Sequence, residues 1–477
     1  MSSTIASPYP TMSERQPQQR DRTRHKITKL IMLLYAMLLF EGAVRKWLVP
    51  GSADVFFFIR VPLLLFIYWR AFKSGLWPRN NGLFGFGMIC AFLGVELIPL
   101  QMFLGNYSLR HLLIVAYGIH NYFLYIPLPF IMSKCMTLEH LKSIVRATAW
   151  IVILCAPLAI IQYYSPSDSI IVAGSGGTDE STFAGLGYGR GTRPTGLFTS
   201  SLGQQMFVSS ALALLLALRL DRARRSALST PVFAVALVAT LLMVGFSAQR
   251  GLVVQAGLVF LFYMWALTLT KNLSFNFLFF LAFLTLCFYL YPVLFPDVAQ
   301  EFSDRWTGAA ISESLSYGGF GGGFIGRIFY ELSQFLFMFK TTPPQGYLLG
   351  MAGNASMMLP WVQRPSWADQ WTGPTGWGED GLSRHIIDLG WFVGVLTIIF
   401  RFSILIFLLR QAVRSARNTH NVWPLLLMGF LTPILSSSLM TAQGTVIGFS
   451  WLFIGFCMTA IRDNGVLLPS YKPGNRP

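Results

Sequence analysis

Long apolar runs alternate with short polar segments along most of the chain. About twelve runs can be counted, and each is close to the roughly 20 residues that a helix needs to cross a bilayer. The runs are 30–49, 54–69, 82–100, 112–132, 147–164, 198–218, 230–249, 251–270, 273–294, 386–409, 422–442 and 444–461. We therefore expect an all-α polytopic membrane protein with about twelve transmembrane helices.

The composition supports this fold class. The 477 residues are 54% hydrophobic and only 12% charged, whereas an average soluble domain has about 25% charged residues. The net charge of +16 comes from basic residues clustered between the apolar runs, so we expect no nucleic-acid partner. The cysteines and histidines show neither a disulfide framework nor metal-ligand spacing, and no metal is expected.

The polar segments set the expected domain boundaries. Residues 1–29 are basic and contain several Pro and Gln, which is typical of a disordered cytoplasmic tail. A cleaved signal peptide is the alternative, but no small-residue cleavage site follows the first run. The other expected divisions are transmembrane helices 1–9 in 30–294, a large external loop in 295–385, transmembrane helices 10–12 in 386–462 and a cytoplasmic tail in 463–477.

The distribution of lysine and arginine sets the expected orientation. Most of the 36 basic residues fall in the N-terminal tail, in every second loop and after the last run. The positive-inside rule assigns these segments to the cytoplasm. An even number of helices then places both termini in the cytoplasm, and we expect a multi-pass protein of the bacterial inner membrane.

The expected outer loops carry arginine where the same rule predicts few cations. These arginines are Arg110, Arg190, Arg193, Arg250, Arg305, Arg327, Arg364 and Arg384. Guanidinium is always charged and contacts phosphate through two parallel hydrogen bonds, so the set favours anion binding, as by a lipid-linked diphosphate. For any single arginine, pairing with an acidic residue or contact with anionic headgroups is the alternative.

A few polar residues interrupt the apolar runs. Glu41 and Arg45, four residues apart at the end of the first run, are expected to form an ion pair. Arg401 is expected to extend toward the cytoplasmic surface, as long basic side chains do near helix ends. His120 and Asn121 lie close to two prolines and are expected to bond neighbouring helices beside a kink.

Four short motifs follow one another between residues 190 and 400. They are Arg193-Pro194-Thr195-Gly196-Leu197-Phe198, Ser247-Ala248-Gln249-Arg250-Gly251, Gly326-Arg327-Ile328 followed by Pro343-Pro344-Gln345-Gly346 and Gly350, and Asp388-Leu389-Gly390 with Gly394. In this order, on this side of the membrane and around the large loop, they resemble the bacterial O-antigen polymerase and O-antigen ligase family.

The resemblance implies a C-type (GT-C-like) membrane glycosyltransferase that acts on undecaprenyl-diphosphate-linked glycan outside the inner membrane, without a nucleotide sugar, cofactor or essential metal. The candidates for binding the diphosphate are Arg193, Arg250, Arg327, Arg190 and Arg305. The family usually has His-Asn about eleven residues before the position of Gly390. Here Glu379-Asp380 occupies that place, so Glu379 is the first candidate for the catalytic base and His385 is the second.

Several functions remain open within and beyond the family. The displaced histidine favours a polymerase of lipid-linked repeat units, and an O-antigen ligase that transfers glycan to the lipid A core is the alternative. Outside the family, a lipid-linked glycan transporter or a non-catalytic partner of polysaccharide assembly proteins would also fit the pattern. The expected partners are the lipid bilayer, the lipid-linked glycan and polysaccharide assembly proteins.

Overall fold

The computed structural model describes residues 12–49, 58–166, 169–172, 192–221, 227–247, 249–270, 275–316, 334–353, 362, 381–437, 439–441 and 443–463. The described residues are mostly helical and form no β-strand. The helices, numbered in chain order, are α1 (Met12–Ala43), α2 (Val61–Lys73), α3 (Gly82–Leu104), α4 (Leu112–Tyr122), α5 (Pro127–Cys135), α6 (Leu138–Tyr164), α7 (Ser201–Leu220), α8 (Thr230–Phe246), α9 (Arg250–Thr270), α10 (Phe275–Leu294), α11 (Pro296–Ser316), α12 (Gly381–Thr419), α13 (Trp423–Ser436) and α14 (Gly444–Arg462).

Eight candidate membrane spans occur in the described part of the chain. They are Asp21–Leu48, Gly82–Leu104, Leu109–Cys135, Leu138–Tyr164, Ser201–Leu220, Arg250–Thr270, Gly381–Thr419 and Gly444–Arg462. Shorter apolar helices cover α8, α13 and the second half of α10. Every predicted run overlaps a described helix, although the run at 112–132 is divided between α4 and α5 and the run at 54–69 shares only residues 61–69 with α2. The protein therefore has the predicted fold class of an all-α membrane protein.

The N-terminal segment differs from the expected disordered tail. Helix α1 begins at Met12, so residues 12–29 are helical, whereas residues 1–11 lie outside the described residues. The reason is that the apolar stripe of the first run continues into the polar segment, since Ile27 and Thr28 are buried. Thr28 also donates a hydrogen bond to the Cys135 carbonyl at 3.2 Å, which fixes this part of α1 against α5.

Helices α7 and α14 form the centre of the bundle, because almost all of their side chains are buried. Glycines allow the neighbouring helices to approach closely. A Cβ at Gly429 would lie 3.0 Å from the Val259 Cα, and one at Gly455 would overlap the Met132 sulfur. Small residues at such contacts are typical of helix packing inside membranes.

The predicted kink near His120 is confirmed. Helix α4 ends at Tyr122 and α5 begins at Pro127, with a non-helical turn between them. Proline is tolerated in the first turn of a helix, because the N–H group that it lacks would have no partner within the helix there. The His120 Nδ1 lies 3.0 Å from the Asn121 amide oxygen. This contact is between neighbours on α4, and the expected bonds to other helices stay a prediction.

Candidate functional site

Three of the five arginines predicted to bind diphosphate come together in the structure. Arg193 lies in the loop before α7, Arg250 begins α9 and Arg305 lies in the middle of α11. We call them the arginine cluster. Arg190 and Arg327, the other two predicted diphosphate ligands, lie outside the described residues.

The three guanidinium groups influence one another electrostatically. Burial and the nearby Arg250 lower the pKa of Arg193. Burial, and then the charges of Arg193 and Arg250, lower the pKa of Arg305 to about 10, and Glu301 only partly counteracts them. Like charges disfavour one another's ionised form. The cluster therefore concentrates positive charge in a partly desolvated place, where an anion would be strongly attracted.

Hydrogen-bond donors of the arginine cluster are available for such an anion. The Arg193 Nε and one Arg305 terminal nitrogen are buried and have no hydrogen-bond partner among the described residues. A buried donor that remains unsatisfied is costly, whereas charge-assisted bonds from guanidinium to phosphate oxygen are short and strong. This chemistry fits a diphosphate group.

A glutamine side chain holds the loop that carries Arg193. The Gln162 Oε1 accepts hydrogen bonds from the backbone N–H groups of Thr195 at 3.1 Å and Gly196 at 2.7 Å, and its Nε2 donates to the Gly196 carbonyl at 3.1 Å. Gly196 has φ +58°, and a Cβ there would overlap the Gln204 side chain. Gly196 is therefore required for this loop conformation.

A buried lysine supports the same loop together with Gln162, since both side chains bond the Gly196 carbonyl. Lys46 lies in the π-helical turn Val44–Leu48 after α1, and its Nζ donates to the Thr195 hydroxyl at 2.7 Å and the Gly196 carbonyl at 3.3 Å. Such π-helical turns occur frequently at functional sites. Lys46 thus helps to position Arg193 through the backbone rather than through its own charge alone.

Replacing Lys46 with methionine is expected to destabilise the protein by about 2 kcal/mol, because the loop around Thr195 loses charge-assisted hydrogen bonds. Thermal unfolding of the purified protein in detergent measures the effect. Lys26→Met is the control, since Lys26 is exposed on α1. Equal melting temperatures for the two variants would show that Lys46 does not stabilise the loop.

Arg305 owes its position to an anchored helix. The Tyr163 hydroxyl on α6 donates a hydrogen bond to the Glu301 carboxylate on α11, one helical turn before Arg305. Tyr163 also packs with Phe246 and Val298 in a small apolar cluster. These contacts attach α11, the first helix of the large predicted loop, to the bundle next to the arginine cluster.

The second part of the third sequence motif, residues 343–350, meets the fourth motif at a second place, whereas residues 326–328 lie outside the described residues. The Asp388 carboxylate accepts hydrogen bonds from the Ala352 N–H at 2.7 Å and the Tyr122 hydroxyl at 2.9 Å. The Gln101 amide donates to the backbone carbonyls of Asp388 at 2.8 Å and Gln345 at 2.7 Å. These bonds dock the segment 343–353 onto the start of α12.

Glycines make this docking possible. Gly390 has φ +71° and ψ −175°, a conformation that almost only glycine adopts. A Cβ at Gly390 would overlap the Pro344 carbonyl oxygen, and one at Gly346 would lie 2.6 Å from the Gly390 nitrogen. The Trp391 N–H then donates to the Pro344 carbonyl at 3.0 Å. The two motifs therefore fit together through their backbones.

His385, the second candidate for the base, is fully buried. Its Nδ1 contacts the Gly381 carbonyl, and its Nε2 lies 3.3 Å from an Arg401 terminal nitrogen. In this arrangement both ring nitrogens are engaged, and neither is open to a substrate hydroxyl. Glu379, the first candidate, lies outside the described residues.

Contrary to the expectation from the sequence, the Arg401 side chain does not extend toward the cytoplasmic surface. It is only 4% exposed and contacts His385 and the Ile434 carbonyl. The reason is the break at Gly390, which folds the start of α12 back so far that a Cβ at Gly394 would lie 2.6 Å from the His385 carbonyl oxygen.

The Glu41–Arg45 ion pair is present at 3.7 Å, but Glu41 has a closer partner in Arg60 at 2.9 Å. Arg60 is 2% exposed, and it shares the carboxylate from the turn before α2. Sequence reasoning missed Arg60 as a partner, as it missed the supporting roles of Gln162 and Gln101. The available signal was the presence of polar side chains within or beside apolar runs, which marks functional or packing roles in membrane proteins.

Comparisons with protein-family models and with curated proteins find no match to this chain.

Proposed function

We propose that this protein is a membrane glycosyltransferase that polymerises undecaprenyl-diphosphate-linked oligosaccharide repeat units into a surface polysaccharide, namely O-antigen, capsule or exopolysaccharide. The observation that carries the proposal is the arginine cluster. Its members come from three separate elements, and two of them have buried donors without a described partner. A lipid-linked diphosphate supplies the negative charge and the acceptors that such a site lacks.

The proposed reaction is a direct displacement. A hydroxyl oxygen of the acceptor glycan bonds to the anomeric carbon of the donor, and the bond from that carbon to the diphosphate oxygen breaks. The leaving diphosphate takes the electron pair, and Arg193, Arg250 and Arg305 stabilise the charge that develops on it. The hydroxyl proton passes to a base, for which Glu379 is the candidate. Arg190 and Arg327 are further candidates for the diphosphate.

We also propose how the chain crosses the membrane. About twelve helices would cross the bacterial inner membrane, with both termini in the cytoplasm and the segment between α10 and α12 on the periplasmic side. The basic loops support this orientation by the positive-inside rule. In this orientation the arginine cluster faces the periplasm. The sugar of a lipid-linked glycan is accessible there once the glycan has been transferred to the periplasmic leaflet.

The lipid-linked glycans of a deletion strain test the proposal, measured by gel and mass spectrometry beside the complemented parent. We expect single repeats to accumulate on undecaprenyl diphosphate while long polymer disappears. Long chains that remain on the lipid would instead identify the O-antigen ligase activity. An unchanged profile would contradict both activities and leave the role of a non-catalytic assembly partner.

A transporter of lipid-linked glycan is a second candidate, favoured by a different observation. Glu41, Arg60 and Arg401 are charged side chains within the helical bundle, and such residues often mark transport pathways. In a deletion strain, loss of a transporter would leave the unpolymerised repeats in the cytoplasmic leaflet. Loss of a polymerase would leave them in the periplasmic leaflet, where added glycosidases reach them in spheroplasts.

A further inference from the structure

Helix α3 has two contrasting faces. One face packs against the bundle: Gly87 lies against Phe400, the Cys90 thiol contacts the Leu396 carbonyl, and Gly94 lies against Phe123. The opposite face points away from the described helices, and its side chains are among the most exposed apolar groups of the chain. On this outer face, Ile89 is 55%, Phe92 63% and Phe103 82% exposed. In a membrane, a face of this composition contacts lipid or another transmembrane helix.

The outer face of α3 also carries an acidic side chain. Glu96 is exposed on it. The helix has 23 residues, Gly82–Leu104, so Leu93 is its midpoint and Glu96 lies about 4.5 Å beyond it at a rise of about 1.5 Å per residue. Glu96 is therefore near the middle of the hydrocarbon layer rather than at a surface. Carboxylates at this depth are rare and mark functional contacts by default.

Other acidic groups of the transmembrane helices have donors within the protein. Glu41 pairs with Arg60, and Asp388 accepts bonds from Tyr122 and Ala352. For Glu96, the structure shows no hydrogen bond or ion pair with any residue that it describes. A lipid tail cannot supply one either. The donor that Glu96 needs must therefore come from outside the described residues.

The same face offers a second hydrogen-bond acceptor. Pro99 lies inside α3 and has no N–H to give to the carbonyl of Val95, four residues earlier. Val95 and Pro99 both lie on the exposed face. The patch thus combines a carboxylate with a freed backbone carbonyl between the aromatic rings of Phe92 and Phe103. Two adjacent acceptors on an apolar surface match a side chain that is cationic and rich in donors.

We propose that the outer face of α3 docks a transmembrane helix of another protein, which carries a lysine or arginine at the depth of Glu96. Charge complementarity favours this occupant. A second copy related by a twofold axis would instead bring the two Glu96 carboxylates together, which like charges disfavour. The apolar side chains around Glu96 supply packing, and the ion pair fixes the register of the partner helix. This docking would occur whether or not the protein acts on lipid-linked glycan.

Photocrosslinking of the full-length protein in its native membranes tests the proposal. A benzoylphenylalanine replaces Phe92, one helical turn before Glu96 on the same face. The control position is Leu154, which is 73% exposed on α6 and also three residues beyond the midpoint of its helix. We expect a crosslink from position 92, and none from position 154, to a transmembrane segment that contains a lysine or arginine.

Variants at Glu96 then test the role of the charge. Glu96→Leu is expected to reduce the crosslink at least tenfold, and Glu96→Lys combined with replacement of the partner's cation by glutamate is expected to restore it. Glu96→Leu makes a lipid-facing surface more apolar, so the variant folds, as unchanged gel filtration in detergent verifies. A crosslink to a second copy, a crosslink to lipid alone, or a protein crosslink that Glu96→Leu leaves intact would each overturn the proposal.

Discussion

Replacing Arg250 with alanine is expected to lower polymer formation about a hundredfold at unchanged protein level. Removal of one donor that stabilises developing negative charge typically reduces the rate by a factor of about 10² to 10³. Arg250 lies close enough to Arg193 and Arg305 to lower the pKa of both, so it contributes directly to the charge of the arginine cluster. Arg250→Lys keeps the charge but loses the bidentate geometry, and an intermediate loss is expected. Gel profiles of the extracted polysaccharide measure these effects.

Arg110→Ala is the matched control for the arginine cluster. Arg110 is also expected on the outer side, but it is exposed on the turn Leu109–His111 and donates to Ser108. The variant should make polymer of normal length and amount. Equal polymer from the Arg250→Ala and Arg110→Ala proteins would contradict a role for the cluster in the reaction.

The second large effect is expected from Gly390→Ala. The conformation of Gly390 costs other residues about 1–3 kcal/mol, and the added Cβ would overlap the Pro344 carbonyl. The segment 343–353 should therefore detach from α12, which would expose it to protease, lower the melting temperature by several degrees and abolish polymer formation. Limited proteolysis and thermal unfolding of the purified protein measure the first two effects.

Gly85→Ala provides the control for Gly390→Ala. Gly85 lies in α3 and a Cβ there would have no neighbour within 4 Å. Because alanine favours a helix over glycine by up to about 1 kcal/mol, this variant should be as stable as the wild type or slightly more stable. If Gly390→Ala keeps the wild-type melting temperature and protease resistance, the proposed docking of the two motifs is wrong.

The helices could be predicted from the sequence, because apolar runs of membrane-spanning length leave little choice of structure. The pair formed by Glu41 and Arg45 could be predicted too, since helical geometry alone brings residues four apart together. The start of α1 was missed because the polar composition of residues 12–29 hides the buried contacts of Ile27 and Thr28. The composition of a segment cannot show the contacts that the segment makes with a neighbouring helix.

The candidate site was predicted in part. The sequence singled out Arg193, Arg250 and Arg305 by residue type and expected location, and the structure brings them together. It could not show that His385 and Arg401 meet, because sixteen residues of uninterrupted helix would separate them by about 24 Å. Their contact depends on the positive φ of Gly390, and the backbone angle of a glycine cannot be read from its identity.

Assay of the purified protein shows whether it polymerises lipid-linked repeat units by itself. Repeat units on undecaprenyl diphosphate, isolated from the deletion strain, are incorporated with the protein into liposomes, and products are followed by mass spectrometry. We expect the wild type, but not Arg250→Ala, to form glycans of two or more repeats and to release one undecaprenyl diphosphate for each bond formed. Folded wild-type protein that forms no longer glycan and releases no undecaprenyl diphosphate would contradict the proposed polymerase activity.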